Sequence, residues 1–195
     1  MKDNYYFLLF IFSVIILQCD NDSKFDKFIL EFENTQLPFQ IDSSYFVKSL
    51  NYDKLKLKSI ESKYFNLLSV QEINKKHGDY ELYEKYYLNR IDFSKDIIGL
   101  LIFAPRNKNL AIDSFVEKIF LVIYNKSGQF LADIELGYFE GHFGHEKYKT
   151  FLLTEDNLIH IFLKDVKFNM STNSQHITRD TTIYFIDNEG FITNK

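Results

Sequence analysis

Between residues 97 and 190 the chain alternates long apolar runs with polar connections, three of them only about four residues long, and that rhythm limits the possible folds more than any other feature. Ile97 to Ala104 is almost continuously apolar, as is Lys118 to Tyr124. Continuous apolarity in β-branched and aromatic residues marks strands covered on both faces. Asn125-Lys126-Ser127-Gly128 and Asp187-Asn188-Glu189-Gly190 each end in a glycine suited to the left-handed position after a type I turn. Thr154-Glu155-Asp156-Asn157 is a third short connection, without glycine. Links this short cannot carry a parallel crossover, so the strands they join run antiparallel.

Further strands are expected at Leu82–Phe93, Gln129–Tyr138, Tyr148–Leu153, Leu158–Phe168, Thr181–Ile186 and Phe191–Asn194. In Gln129–Tyr138, Phe130, Ala132, Ile134, Leu136 and Tyr138 fall on one face by alternation, with Asp133 and Glu135 on a solvent-facing other. Gly99, inside an apolar strand, marks a bulge or a close backbone approach. Nearer the N-terminus the pattern is mixed. Phe25, Phe28 and Ile29 have helical spacing, as do Tyr64, Leu67 and Leu68, and Asp42-Ser43-Ser44 can cap a short helix. Leu37-Pro38-Phe39 breaks helical structure. Lys54-Leu55-Lys56-Leu57-Lys58 alternates like an edge strand with one charged face. The expected fold is mainly β: an antiparallel meander closing into a sandwich or barrel-like sheet, with one or two short N-terminal helices. Residues 25–195 form a single domain, since no repeat, linker or composition break interrupts them.

Composition narrows the function classes. With 7 Gly, 2 Pro and 1 Cys the chain is neither low-complexity nor a disulfide scaffold, and 46% hydrophobic residues allow a filled core. The net charge of −4 argues against a nucleic-acid partner, which demands a basic surface.

The N-terminus reads as a membrane address. After Met1-Lys2-Asp3-Asn4 comes an apolar run from Tyr5 to Leu17, then Gln18-Cys19-Asp20-Asn21-Asp22-Ser23. The run is short for a membrane span, which needs roughly 20 residues, but fits the apolar region of a secretory signal at about 7–15. The only cysteine stands where the apolar run gives way to polar sequence. Residues 1–23 resemble the signal of bacterial lipoproteins, and that resemblance implies cleavage before Cys19 and its lipidation. On this reading residues 1–19 are the signal ending at Cys19, residues 20–24 a short tether, and the protein is exported and anchored to a bacterial membrane. The alternatives are an uncleaved signal anchor, with Cys19 an incidental thiol, and a buried apolar helix of a cytosolic protein. The stretches around Ile98-Gly99-Leu100-Leu101, Val122–Gly128 and Tyr184–Gly190 are similar to those of small β-rich bacterial lipoproteins without assigned activity.

Candidate chemistry centres on Glu140-Gly141-His142-Phe143-Gly144-His145-Glu146, a glycine-broken connection between strands. His142 and His145, with two carboxylates beside them, have the donor types for zinc or a similar ion. The structural reading of the same stretch is a solvated loop. His160 reads as a core or boundary strand residue, His77 as a turn residue, and His176 as part of a polar surface loop. Asp133 and Glu135 are a formal acid–base pair, equally explained by an ordinary strand face. Nucleophile elbow, zinc-protease, phosphate-loop and dinucleotide motifs are all missing from the sequence, and nothing in it calls for a cofactor. The leading expectation is a non-enzymatic, membrane-tethered module that binds a protein partner, one version being an immunity-type blocker of a toxin. The alternatives are a carrier enclosing a lipid or sugar in an aromatic-lined β cavity, and a metal-assisted envelope enzyme using His142 and His145.

Overall fold

A computed structural model describes residues 24–49, 57–68, 84–105, 115–142, 144–169 and 171–195. Cys19, the apolar run before it, the beginning of the tether and His77 lie outside the described residues, as does most of Lys54–Lys58.

Ten strands follow one another as β1 (Glu33–Asn34), β2 (Phe39–Ile41), β3 (Tyr86–Asp92), β4 (Ile97–Pro105), β5 (Phe115–Asn125), β6 (Phe130–His142), β7 (His145–Leu153), β8 (Leu158–Asn169), β9 (Ser174–Ile186) and β10 (Ile192–Asn194). From β3 to β10 each strand pairs antiparallel with the next, which is the expected meander. The short links account for this: Gly128 and Gly190 take positive φ, 82° and 87°, and Asn157 supplies the same conformation at 58° where no glycine is available. Two strands depart from chain order. β1 joins the outer edge of β3 in parallel, and β2 pairs antiparallel with β7.

The β2–β7 pairing shapes the body. β6 and β7 are paired only from Tyr138–Lys149 to His142–His145. Beyond that point they separate, and β2 occupies the vacated edge of β7 opposite Phe151, Leu152 and Leu153. The side of β7 that is buried changes with it: Tyr148 at the β6 end, Phe151 and Leu153 at the β2 end.

Double-sided burial of β4 and β5 holds. All nine residues of β4 are buried. Leu100, Ile102, Phe120, Val122 and Tyr124 pack in one cluster with Phe25, Phe28 and Phe32 and with Tyr64 and Leu68. Leu101, Phe103, Ile119, Leu121 and Ile123 pack in a second cluster with Phe151, Leu153, Ile159, Ile161 and Ile186 from the later strands. The N-terminal layer is helical where its spacing predicted. A turn of helix, α1 (residues 24–29), buries Phe25, Phe28 and Ile29; a 3-10 helix, Ser62–Leu68, buries Tyr64 and Leu68. The Tyr124 hydroxyl donates to the Leu67 carbonyl at 2.5 Å, fastening that helix to the sheet. Helix α2 (Ser43–Ser49) is capped by Asp42, whose Oδ1 accepts from the Ser44 N–H at 2.8 Å.

Strand β6 corrects one expectation. Its pairing with β5 shifts register twice, skipping Leu131 and Leu136. Each extra residue resets the alternation. As a result Phe130, Asp133, Glu135 and Tyr138 lie on one face, opposite Tyr124, Val122, Phe120 and Lys118. Asp133 and Glu135 do not face solvent: Asp133 is 5% exposed and the Glu135 side chain 16%. Gly99 marks a close approach. A Cβ there would lie 2.4 Å from the Phe93 ring and 2.8 Å from Leu121. Leu57 and Lys58 are not in a strand; Lys58 instead bonds Glu31.

Candidate functional site

The far ends of β6 to β9 lie side by side beyond the fork. β6 and β7 are paired as far as His142 and His145, with Gly144 at φ 72°, and β8 and β9 as far as Asn169 and Ser174, with Asn173 at φ 52°. At the β8–β9 end Asn169 Oδ1 accepts from the Ser171 N–H at 3.0 Å and the Ser171 hydroxyl at 2.6 Å. The Phe168 N–H donates to the Gly144 carbonyl at 2.7 Å and ties one hairpin end to the other.

This geometry revises two expectations. Glu140–Glu146 is not an open loop: Glu140, Gly141 and His142 belong to β6, His145 and Glu146 to β7. His176 is in β9, opposite Lys167, rather than in a surface loop. In both cases strand pairing runs on to the pairs His142–His145 and Asn169–Ser174, so polar residues that look like loop sequence are strand residues on a solvated blade. His160 sits in β8, half-buried, stacked on Phe162 with ring centroids 6.4 Å apart.

Register sets the chemistry of each face. One cross-strand row runs Glu140, Lys147, Asp165, Thr178, and the next runs His142, His145, Lys167, His176. His142 and His145 thus occupy opposed positions. His145 Nε2 lies 2.8 Å from Asp165 Oδ1. The carboxylates flanking the histidines are engaged by tyrosines of their own strands: Tyr138 donates to Glu140, and Tyr148 to Glu146 at 2.9 Å. Burial, then the bond to Glu146, pushes the Tyr148 phenol up to about 12. Among the described residues no group of three or more His, Cys, Asp or Glu side chains is placed to hold a metal ion.

Where that face meets the body, Glu135 is clamped between Lys149 at 2.5 Å and Lys118 at 3.2 Å. Burial, the largest influence, pushes its carboxyl up, but the charges and hydrogen bonds of the two lysines together outweigh it and hold it below the ordinary carboxylate range. A group with a depressed folded pKa contributes stability above its unfolded value, about 4.3, and loses it as pH falls through the folded one. Glu135→Gln is therefore expected to lower the urea midpoint most at pH 5–7. The deficit should shrink toward pH 3; a deficit independent of pH would show that the ion cluster is not its source.

The other face is apolar. Phe162, Val166 and Phe168 alternate along β8, with Ile177 opposite Val166 and Thr181 opposite Phe162. Phe162, Phe168 and Ile177 are 38%, 38% and 39% exposed. Lys164 and Arg179 cross this stripe as a pair, and Lys164 reaches over the Tyr148 ring at 5.9 Å. The sequence reading missed the stripe, although the alternation of Phe162, Val166 and Phe168 around Lys164 carried its signal.

On the body, a groove of roughly 380 Å³ opens between Asn34–Leu37, Ile91–Phe93, Glu155 and Asn157. Phe93 is the aromatic residue of that lining. Comparison of the chain with protein-family models, curated proteins and solved structures finds no match.

Proposed function

We propose that the chain is an exported, membrane-tethered, non-enzymatic module that binds a protein partner through the apolar face of the β6–β9 blade. The tether rests on the apolar run ending at Cys19. The observation that carries the binding role is the exposed stripe of Phe162, Phe168 and Ile177 across paired strands β8 and β9. Large apolar side chains clustered on one exposed face mark an interaction surface when polar residues rim them. Here the basic pair Lys164 and Arg179 crosses the patch, so the matching surface is apolar with carboxylates placed to meet that pair. An immunity-type blocker of an envelope toxin is one form this role takes.

The test is in-cell cross-linking of the full-length chain followed by mass spectrometry, with a Phe162→Ser/Phe168→Ser variant beside it. Removing two aromatic anchors costs several kcal/mol of binding, so capture of the partner should fall at least about tenfold. Unchanged capture would move the site elsewhere on the surface. Absence of any enriched protein would end the protein-partner reading.

A further inference from the structure

β9 is thirteen residues long, yet β10 pairs only with Tyr184, Phe185 and Ile186 at its end. Next to them the Lys195 N–H takes the Ile183 carbonyl at 2.9 Å. β8 covers the opposite edge throughout. Residues 174–182 thus present a strand edge that no described strand pairs, and 174–181 are all exposed. Because Ile183 aims its carbonyl away from β8, the two-residue period turns the backbone groups of Gln175, Ile177, Arg179 and Thr181 outward as well. One of these donors is met locally: the Thr181 N–H bonds Asp180 Oδ1 at 2.8 Å.

We propose that this edge pairs antiparallel with the same edge of a second copy, about a two-fold axis through Thr178, joining two sheets into one. The register follows from the open length. Full overlap of residues 174–182 with their counterparts centres on 178. Ile177 then exchanges backbone hydrogen bonds with the partner's Arg179, and Gln175 with the partner's Thr181. On the other face His176 meets the partner's Asp180, twice by symmetry, and Thr178 meets its own counterpart. Cross-strand pairs of this kind each contribute roughly 0.2–1 kcal/mol, whereas like charges directly opposite destabilise. Centring one residue later would set Arg179 against the partner's Arg179. The Asp180 carboxylate, released from Thr181 by the incoming Gln175 carbonyl, becomes available to His176. This pairing uses edge backbone and does not need the tether, while Ile177 and Arg179 belong both to its seam and to the apolar face.

The register is read by disulfide trapping in the full-length chain. Counterparts at a non-hydrogen-bonded antiparallel position have Cα atoms about 4.5 Å apart, within disulfide reach. Ser174 and its counterpart would lie roughly 27 Å apart along the strands. Thr178→Cys is expected to form a covalent dimer under mild oxidation, at least about tenfold more than Ser174→Cys and than the parent, whose only cysteine is Cys19. In the Thr178→Cys background, Ile177→Glu, facing the partner's Arg179, should keep the dimer, while Ile177→Lys should reduce it severalfold. Equal trapping at 174 and 178, no trapping at 178, or equal behaviour of the Glu and Lys variants would each overturn the proposal. A monomer that binds a strand of some other protein falls under the second of these.

Discussion

Phe103→Ala is expected to lower the unfolding free energy by about 3–5 kcal/mol, the range for losing a large buried aromatic. Phe103 is fully buried in β4, between Tyr86 of β3 and Ile119 of β5. The Tyr45 ring of α2 meets it edge-on, centroids 5.9 Å apart at 83°. Elements from the start and middle of the chain therefore share this side chain, and local collapse cannot refill the space. For a domain whose total stability is about 5–15 kcal/mol, this is a large fraction. At about 2–4 °C per kcal/mol for this size, the melting temperature should fall by roughly 6–20 °C. Calorimetry on wild type and variant measures it. A fall under 3 °C would mean that the second cluster does not hold the layers together.

Cys19→Ala is expected to move the protein from the membrane fraction to the soluble fraction almost completely. An acyl chain contributes about 0.8 kcal/mol per buried methylene, yet a single 14-carbon chain gives only reversible attachment. The lipoprotein signal that residues 1–23 resemble implies several chains on one residue, and their combined affinity makes the transition all-or-none. The readout is fractionation after an alkaline wash, with the mass of the N-terminal peptide. If the variant stays in the pellet and the wild-type peptide also retains the run from Tyr5 to Leu17, that run is itself an uncleaved anchor. An unmodified Cys19 in wild type would give the same answer by mass.

The meander and its double-sided central strands were legible because they rest on local signals. Apolar runs in β4 and β5, and turn residues such as Gly128 and Gly190, each act within a few positions. The faces of β6 were not legible, since the extra residues Leu131 and Leu136 are defined by where β5 declines to pair with them. Nor was the role of Glu140–Glu146. Glycine and histidine look the same in an open loop and at the end of two strands paired as far as His142 and His145. The apolar stripe was hidden for a further reason. Phe162 and Phe168 resemble core residues in composition, and their exposure follows from which face of β8 the core covers, the one that carries Ile159 and Ile161.

The insertion of β2 into the fork has a consequence for the order in which the chain is made. Ile41 pairs with Phe151, 110 positions later. At about 5–20 residues per second, synthesis leaves β2 waiting roughly 5–20 s for its partner strand to appear. The strands from β3 onward each find a neighbour as soon as the next hairpin is complete. During that interval the apolar side of β2 has no edge to join, just as Phe25 of α1 waits for Tyr124, so the N-terminal layer is what a holding chaperone would protect.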